Sequence, residues 1–270
     1  MGLAPIWRLR RRSDAPERSR DSAIGDSDAG IKDRDSRIRE SAKVSAAPAA
    51  SGAAAQRATA PAPSAILVEA GAPELGLDDR AERILKMNWA ELKTAVAACQ
   101  ACNLYQTRTQ TVFGVGDEHA EWLIVGEAPG AEEDAKGEPF VGQAGRLLDS
   151  MLAAIGMRRG HNVYIANVLK CRPPGNRSPG PYEVERCGPH LLRQLELIQP
   201  KIIIAMGRFA VQSLLNTEAT IARLRGTVHR FRGVPLIVTY HPAYLLRNLP
   251  DKSKAWEDLC LARRTVAALQ

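Results

Sequence analysis

The sequence predicts an α/β fold, a three-layer α/β/α sandwich around a four-stranded, mainly parallel sheet. Two observations carry this reading. Four short apolar runs rich in β-branched residues, Trp122–Val125, Val163–Val168, Ile202–Met206 and Leu236–Tyr240, have the length of strands. Helical patterns lie between and after them, near 143–155, 182–198, 208–215 and 254–268. Strands that alternate with helices pair in parallel, and right-handed crossovers place the helices on both faces of the sheet.

Taken in order, residues 10–43 mix Arg, Asp, Ser and Glu without apolar periodicity, and residues 44–65 are dominated by Ala, Pro and Ser. Neither stretch buries enough apolar surface to offset the entropy of ordering it. The expectation is a disordered tail and linker over 1–80, a solvated spacer, and one folded domain over 81–270. That domain opens on a helix: Leu85, Trp89, Leu92 and Val96 recur at helical spacing and run into Cys99.

The whole chain carries 37 Lys and Arg against 30 Asp and Glu, a formal net charge of +7. Residues 1–80 hold 13 basic and 12 acidic residues, so nearly all of the excess belongs to 81–270. Such an excess favours a polyanionic partner, because Lys and Arg displace counterions from phosphates. Charge alone fits a merely soluble basic enzyme equally well. Arg8, Arg10, Arg11 and Arg12 are not followed by an apolar run of signal length, and no stretch approaches the roughly 20 apolar residues of a membrane span. The expectation is a soluble cytoplasmic protein of bacterial type, without membrane contact.

Each predicted strand is followed at once by unusual residues. Gly126–Gly130 follows the first, Asn167 ends the second, Gly207 follows the third, and His241-Pro242 follows the fourth. Ligands of open parallel sheets bind at the carboxyl ends of the strands. Four segments distant in sequence are therefore expected on one rim, and that rim is the candidate active site.

Of five cysteines, Cys99 and Cys102 form a CxxC, and Cys171 and Cys187 flank a Pro-rich loop. In a reducing compartment such a set reads as metal ligands rather than disulfides. Four thiolates suit either a [4Fe–4S] cluster or a structural zinc ion. A zinc ribbon usually shows a second short CxxC pair, which this chain lacks. Cys260 sits in the apolar pattern of the last helix, between Leu259 and Leu261, and is expected in the core.

Three longer motifs resemble a known family. Gly126-Glu-Ala-Pro-Gly130 with Gly137-Glu-Pro-Phe-Val-Gly-Gln-Ala-Gly145, then Asn167-Val-Leu-Lys-Cys-Arg-Pro-Pro-Gly-Asn176, then His241-Pro-Ala-Tyr-Leu-Leu246 are similar to motifs of the family 4 uracil-DNA glycosylases. The resemblance runs from about residue 90 to the C-terminus, and residues 1–80 lie outside it. It implies one [4Fe–4S] cluster on Cys99, Cys102, Cys171 and Cys187, structural in role, tying the N-terminal helix to the loop after the uracil-reading strand. It implies that Phe140 stacks on a flipped uracil and that Asn167 reads the base edge. A side-chain amide accepts from N3–H and donates to O4, whereas cytosine reverses that pattern.

Gly126, Glu127, Ala128, Phe140, Asn167 and His241 are thus the expected uracil-binding residues. His241 and Glu127 are the expected catalytic ones. His241 would donate to O2 as negative charge grows on the departing base, with backbone N–H groups near Gly126 to Ala128. The water-activating group is less defined. The best-known uracil glycosylases carry an Asp in the first motif where this chain has Glu127 and Ala128, and Glu132, Glu133 and Asp134 are alternatives. Leu245 and Leu246 are candidates for an apolar wedge into the space left by the base, or else simple packing. Arg223, Arg225, Arg230, Arg232 and Arg247 could hold phosphates or form a solvated face.

The expected partner is uracil-containing DNA, single- or double-stranded, bound by a monomer. Rival readings are a metal-stabilised DNA-binding protein without glycosylase activity, an iron–sulfur electron carrier, and a glycosylase for another damaged base. No second cluster set and no GxGxxG fingerprint supports the electron carrier. The stretch Gly142–Leu147 has no histidine of the kind a covalent-product glycosylase would need.

Overall fold

The structure, a computed structural model, describes residues 79–269. The chain divides into two units, Met1–Ala58 and Thr59–Gln270, and every described residue belongs to the second. Asp79 and Arg80 open a helix, and the rest of the tail expected over 1–80 lies outside the described residues. Among the described residues no helix is long and apolar enough to cross a membrane.

Six strands form one sheet: β1 (Val115–Gly116), β2 (Trp122–Gly126), β3 (Val163–Asn167), β4 (Ile202–Met206), β5 (Val228–Phe231) and β6 (Val234–Thr239), in the order β1-β3-β2-β4-β6-β5. The four expected strands are its parallel centre. β1 pairs antiparallel with β3 and β5 antiparallel with β6, so two edge strands are added to the expected four. β5 and β6 form a hairpin whose turn, Arg232-Gly233, has positive φ at both residues, 48° and 82°. Such a turn matches the twist of paired strands.

The helices are α1 (Asp79–Leu85), α2 (Trp89–Ala97), α3 (Ala131–Lys136), α4 (Gln143–Ala154), α5 (Pro181–Ile198), α6 (Arg208–Leu215), α7 (Ile221–Leu224), α8 (Pro242–Arg247) and α9 (Lys252–Ala267). The single helix expected to run into Cys99 is two helices. Asn88 breaks it by capping α2: its side chain accepts from Glu91 N, and the Glu91 carboxylate accepts from Asn88 N at 2.8 Å.

Strand side chains alternate between two cores. Leu123, Val125, Ala166, Ile203, Ala205 and Val238 pack under Leu191 and Leu195 of α5 and Val211 and Leu214 of α6. Trp122, Ile124, Ile165, Ile204 and Ile237 pack on the other face, under Leu148 and Leu152 of α4 and Leu259 and Ala262 of α9. The expected three-layer sandwich is therefore present. Cys260 is half-buried rather than a core residue, because α9 turns Leu259 and Ala262 to the sheet and Cys260 to its flank.

Candidate active site and cysteine cavity

The carboxyl ends of the parallel strands open into a cleft of about 450 Å³, and Glu127, Ala128, Phe140, Asn167 and His241 all line it. β2 and β3 end in register, with Gly126 opposite Asn167. A Cβ on Gly126 would stand 2.4 Å from Asn167 Oδ1 and 2.7 Å from Phe140 Cζ. Only glycine lets the amide and the ring close over the strand end. Asn167 is 2% exposed, and its backbone carbonyl accepts from Lys170 Nζ at 2.9 Å. Among the described residues its side-chain amide has no hydrogen-bond partner.

Phe140 belongs both to the core and to the cleft wall. It holds φ at 55°, the left-handed region, at a cost of order 1 kcal/mol. Arg159 holds it there, donating from Nη1 to the Pro139 carbonyl at 2.9 Å and from Nη2 to the Phe140 carbonyl at 2.8 Å. The segment lies hard against α4, where a Cβ on Gly145 would fall 1.6 Å from the Phe140 oxygen. Sequence reasoning did not single out Arg159, because its partners are backbone carbonyls 19 and 20 positions away.

The Phe140 and His241 rings stack, with centroids 5.3 Å apart and planes 27° apart. His241 caps α8, and its Nδ1 accepts from Ala243 N at 3.1 Å. Burial, reinforced by the charge of Arg247, pulls the His241 pKa down to about 4. The ring is therefore neutral near pH 7, and with Nδ1 accepting, its proton resides on Nε2. Gly207 (φ 91°) backs the histidine closely: a Cβ there would stand 3.0 Å from His241 Cβ.

Glu127 is half-buried in the cleft wall, and burial raises its pKa to about 7 against the opposing charge of Arg208. Of the three alternative acids, Glu133 lines the cleft. Asp134 is buried and turned away, both its oxygens accepting from Thr109 N at 3.0 Å, and Glu132 lies against Gly142. Leu245 is core, whereas Leu246 is 37% exposed and directly precedes Arg247 in the chain. Of the five expected arginines, Arg247 lines the cleft. Arg225 is taken up by Asp258 and Glu257, and Arg230 by the Gly233 carbonyl at 2.7 Å. The loop after Cys171 adds Pro173, Asn176 and Arg177 to the lining.

Cys99, Cys102, Cys171 and Cys187 line one narrow cavity. Among the described residues no group of three or more His, Cys, Asp or Glu side chains is arranged to hold a metal ion. The four cysteines instead share the lining of one pocket. N–H donors already face three of them. Arg108 Nη1 reaches Cys171 Sγ at 3.1 Å, Lys170 N reaches Cys187 Sγ at 3.3 Å, and Arg80 Nη2 reaches Cys99 Sγ at 3.4 Å. Burial raises the Cys102 and Cys171 thiols and pushes Cys187 up to about 12. Ala128 and Leu169, from the two loops that carry the cleft, pack on this cysteine core.

Residues 113–260 match the family model of the uracil DNA glycosylase superfamily. A type-4 uracil-DNA glycosylase of Archaeoglobus fulgidus is 53% identical over 159 residues, 56% of this chain and 79% of that protein. Another, of Thermotoga maritima, is 46% identical over 155 residues, 57% of this chain and 80% of that protein. The chain belongs to the type-4 uracil-DNA glycosylases. A type-5 uracil-DNA glycosylase of Pyrobaculum aerophilum is more distant, 32% identical over 149 residues, 49% of this chain and 66% of that protein. The type-4 family read from the three motifs is thus the family found. The superfamily match covers the whole rim together with Cys171 and Cys187, while Cys99 and Cys102 precede it.

Proposed function

We propose that this type-4 chain hydrolyses the N-glycosidic bond of uracil in DNA, and that Asn167, Phe140, His241 and Glu127 divide the work. The carrying observation is the locked tautomer of His241: Nδ1 is held as an acceptor by Ala243 N, leaving a neutral ring with Nε2–H to donate.

A base must leave the duplex stack before the bond is reached. Phe140 supplies the aromatic wall and Asn167 the edge reader. An amide set to accept from N3–H and donate to O4 is left with unpaired groups by cytosine. As the C1′–N1 bond breaks, its electron pair passes to the ring, and His241 Nε2–H stabilises the charge on O2. Water adds to C1′, and Glu127 in its ionised form accepts the proton. An abasic site and free uracil result. A neutral imidazole suits the donor role because it keeps its proton and leaves no net positive charge on the enzyme.

The four cysteines fit a [4Fe–4S] cluster by donor chemistry, by sharing one cavity and by the N–H groups already aimed at their sulfurs. When bound, a cluster held by Cys99 and Cys102 after α2, Cys171 after β3 and Cys187 of α5 would cross-link these segments. The chain's own residues then carry the effect to the cleft through Ala128 and Leu169. The same reading has a monomer acting in the cytoplasm on single- or double-stranded DNA. Arg247 faces phosphates, and Leu246 enters the space left by the base.

The test is an oligonucleotide carrying one uracil, with thymine and cytosine controls, scored for alkali-labile scission and for free uracil by mass spectrometry. Scission and free base at uracil alone support the reading. Binding without base release supports a DNA-binding protein instead.

A further inference from the structure

His190 stands one turn along α5 from Cys187, a step that brings both side chains to one face of the helix. Its ring is 1% exposed and forms part of the wall of the cysteine cavity. The chain has five histidines, and among the described residues His190 is the one on that wall. His190 Nε2 lies 3.0 Å from Arg80 Nη2. A guanidinium only donates, so Nε2 accepts and the ring proton sits on Nδ1. That Nδ1 is buried without a hydrogen-bond partner among the described residues.

A buried N–H with no acceptor is unfavourable, and native structures rarely keep one without a use. The arginine that sets the tautomer also donates to Cys99 Sγ at 3.4 Å, so ring and thiol are oriented by one guanidinium. The space beside the ring is lined by four thiols, and sulfur is the acceptor chemistry on offer there.

We propose that His190 Nδ1–H donates a hydrogen bond to a sulfur of the cluster, an inference that rests on the assignment of the cluster to the four cysteines. The bond completes a ring of donors begun by Arg108, Arg80 and the Lys170 amide. Hydrogen bonds to cluster sulfurs draw charge from them, favour the reduced state and raise the reduction potential. His190 is therefore a positioning and tuning residue for the cluster, separate from the chemistry at uracil.

The test uses the full chain with its iron and sulfide content measured, labelled with ¹⁵N-histidine and reduced to its paramagnetic state. Hyperfine spectroscopy should show a weak ¹⁵N coupling that disappears in His190→Leu. Voltammetry should place the His190→Leu potential below that of the unsubstituted protein, and a ferrous chelator should bleach the variant faster. An assembled cluster with no ¹⁵N coupling, or with the same coupling in the variant, overturns the inference and leaves the cluster assignment intact. A chain that assembles no cluster overturns both. The labelled unsubstituted protein decides the matter even if His190→Leu fails to fold.

Discussion

Lys170 Nζ donates to the backbone carbonyl of Asn167 at 2.9 Å and to Gln194 Oε1 at 2.6 Å, with all three residues buried. Asn167, the residue proposed to read the base edge, is thus held from beneath by a lysine whose own amide donates to the sulfur of Cys187. Lys170→Met would leave the Asn167 carbonyl and the Gln194 amide oxygen unpaired, at about 1–3 kcal/mol for each group. We expect a lower urea midpoint and an excision rate reduced about tenfold even in the folded fraction, measured by single-turnover kinetics on a uracil oligonucleotide. A folded variant that cuts at the normal rate would separate Lys170 from the reader.

His241 and Glu127 should not contribute equally. Removing a donor aimed at developing charge costs about 10²–10³ in rate. A base that assists a largely dissociative reaction costs less. His241→Ala is expected to slow single-turnover excision by that factor and Glu127→Ala by about tenfold. A larger defect in Glu127→Ala would reverse the assignment of roles.

The pH profile distinguishes the same two residues. With its pKa near 4, His241 stays neutral from pH 5 to 9 and contributes no limb there. Glu127, raised to about 7, should produce a rate that climbs through neutrality as its carboxylate ionises, and Glu127→Gln should flatten the climb. Stability moves the opposite way. The folded pKa of Glu127 lies above its unfolded value, so between about pH 4.5 and 7 the folded state binds more protons and loses stability as pH rises. Discounted for its solvent-facing side, the gain for Glu127→Gln is about 1 kcal/mol at pH 8 and absent at pH 4, read from urea melts at the two pH values.

Arg159 holds the Pro139 and Phe140 carbonyls and so the strained backbone of Phe140. Arg159→Ala is expected to weaken uracil binding several-fold, seen as a raised KM with a smaller change in kcat. Phe140→Leu should affect both constants, since the ring also stacks on His241. An unchanged KM in Arg159→Ala would show that the loop holds its shape without the clamp.

Leu246 tests the wedge. The side chain is exposed, so truncation should leave stability within about 0.5 kcal/mol. Leu246→Ala should slow excision from duplex while sparing single strands, where no space in a stack needs filling. Equal loss on both substrates would contradict the wedge.

How much of this was legible in the residues depends on whether the signal was local. The four central strands are continuous β-branched runs, and Gly126, Asn167 and His241 sit at their ends, so the rim could be read directly. β1 could not: it has two residues, one of them Gly116, and exists through its pairing with β3. β5 was readable in principle from the Arg232-Gly233 turn, and the break between α1 and α2 from the Asn88-x-x-Glu91 capping pattern. Glu133 and Asp134 look alike in sequence, yet one lines the cleft and the other is used up by Thr109 N. Arg159, Lys170 and His190 escaped notice because their roles come from partners brought together only by the fold.

Asn167 is the residue through which the rim is proposed to read uracil. The most direct measurement is excision by Asn167→Ala, with cluster content matched by iron analysis, on oligonucleotides carrying uracil, thymine or cytosine at one position. Release at uracil alone is expected of the unsubstituted protein, and a loss of at least about 10²-fold of the variant, because an unread base edge leaves buried polar groups unpaired. Undiminished, uracil-specific release by Asn167→Ala would contradict that role.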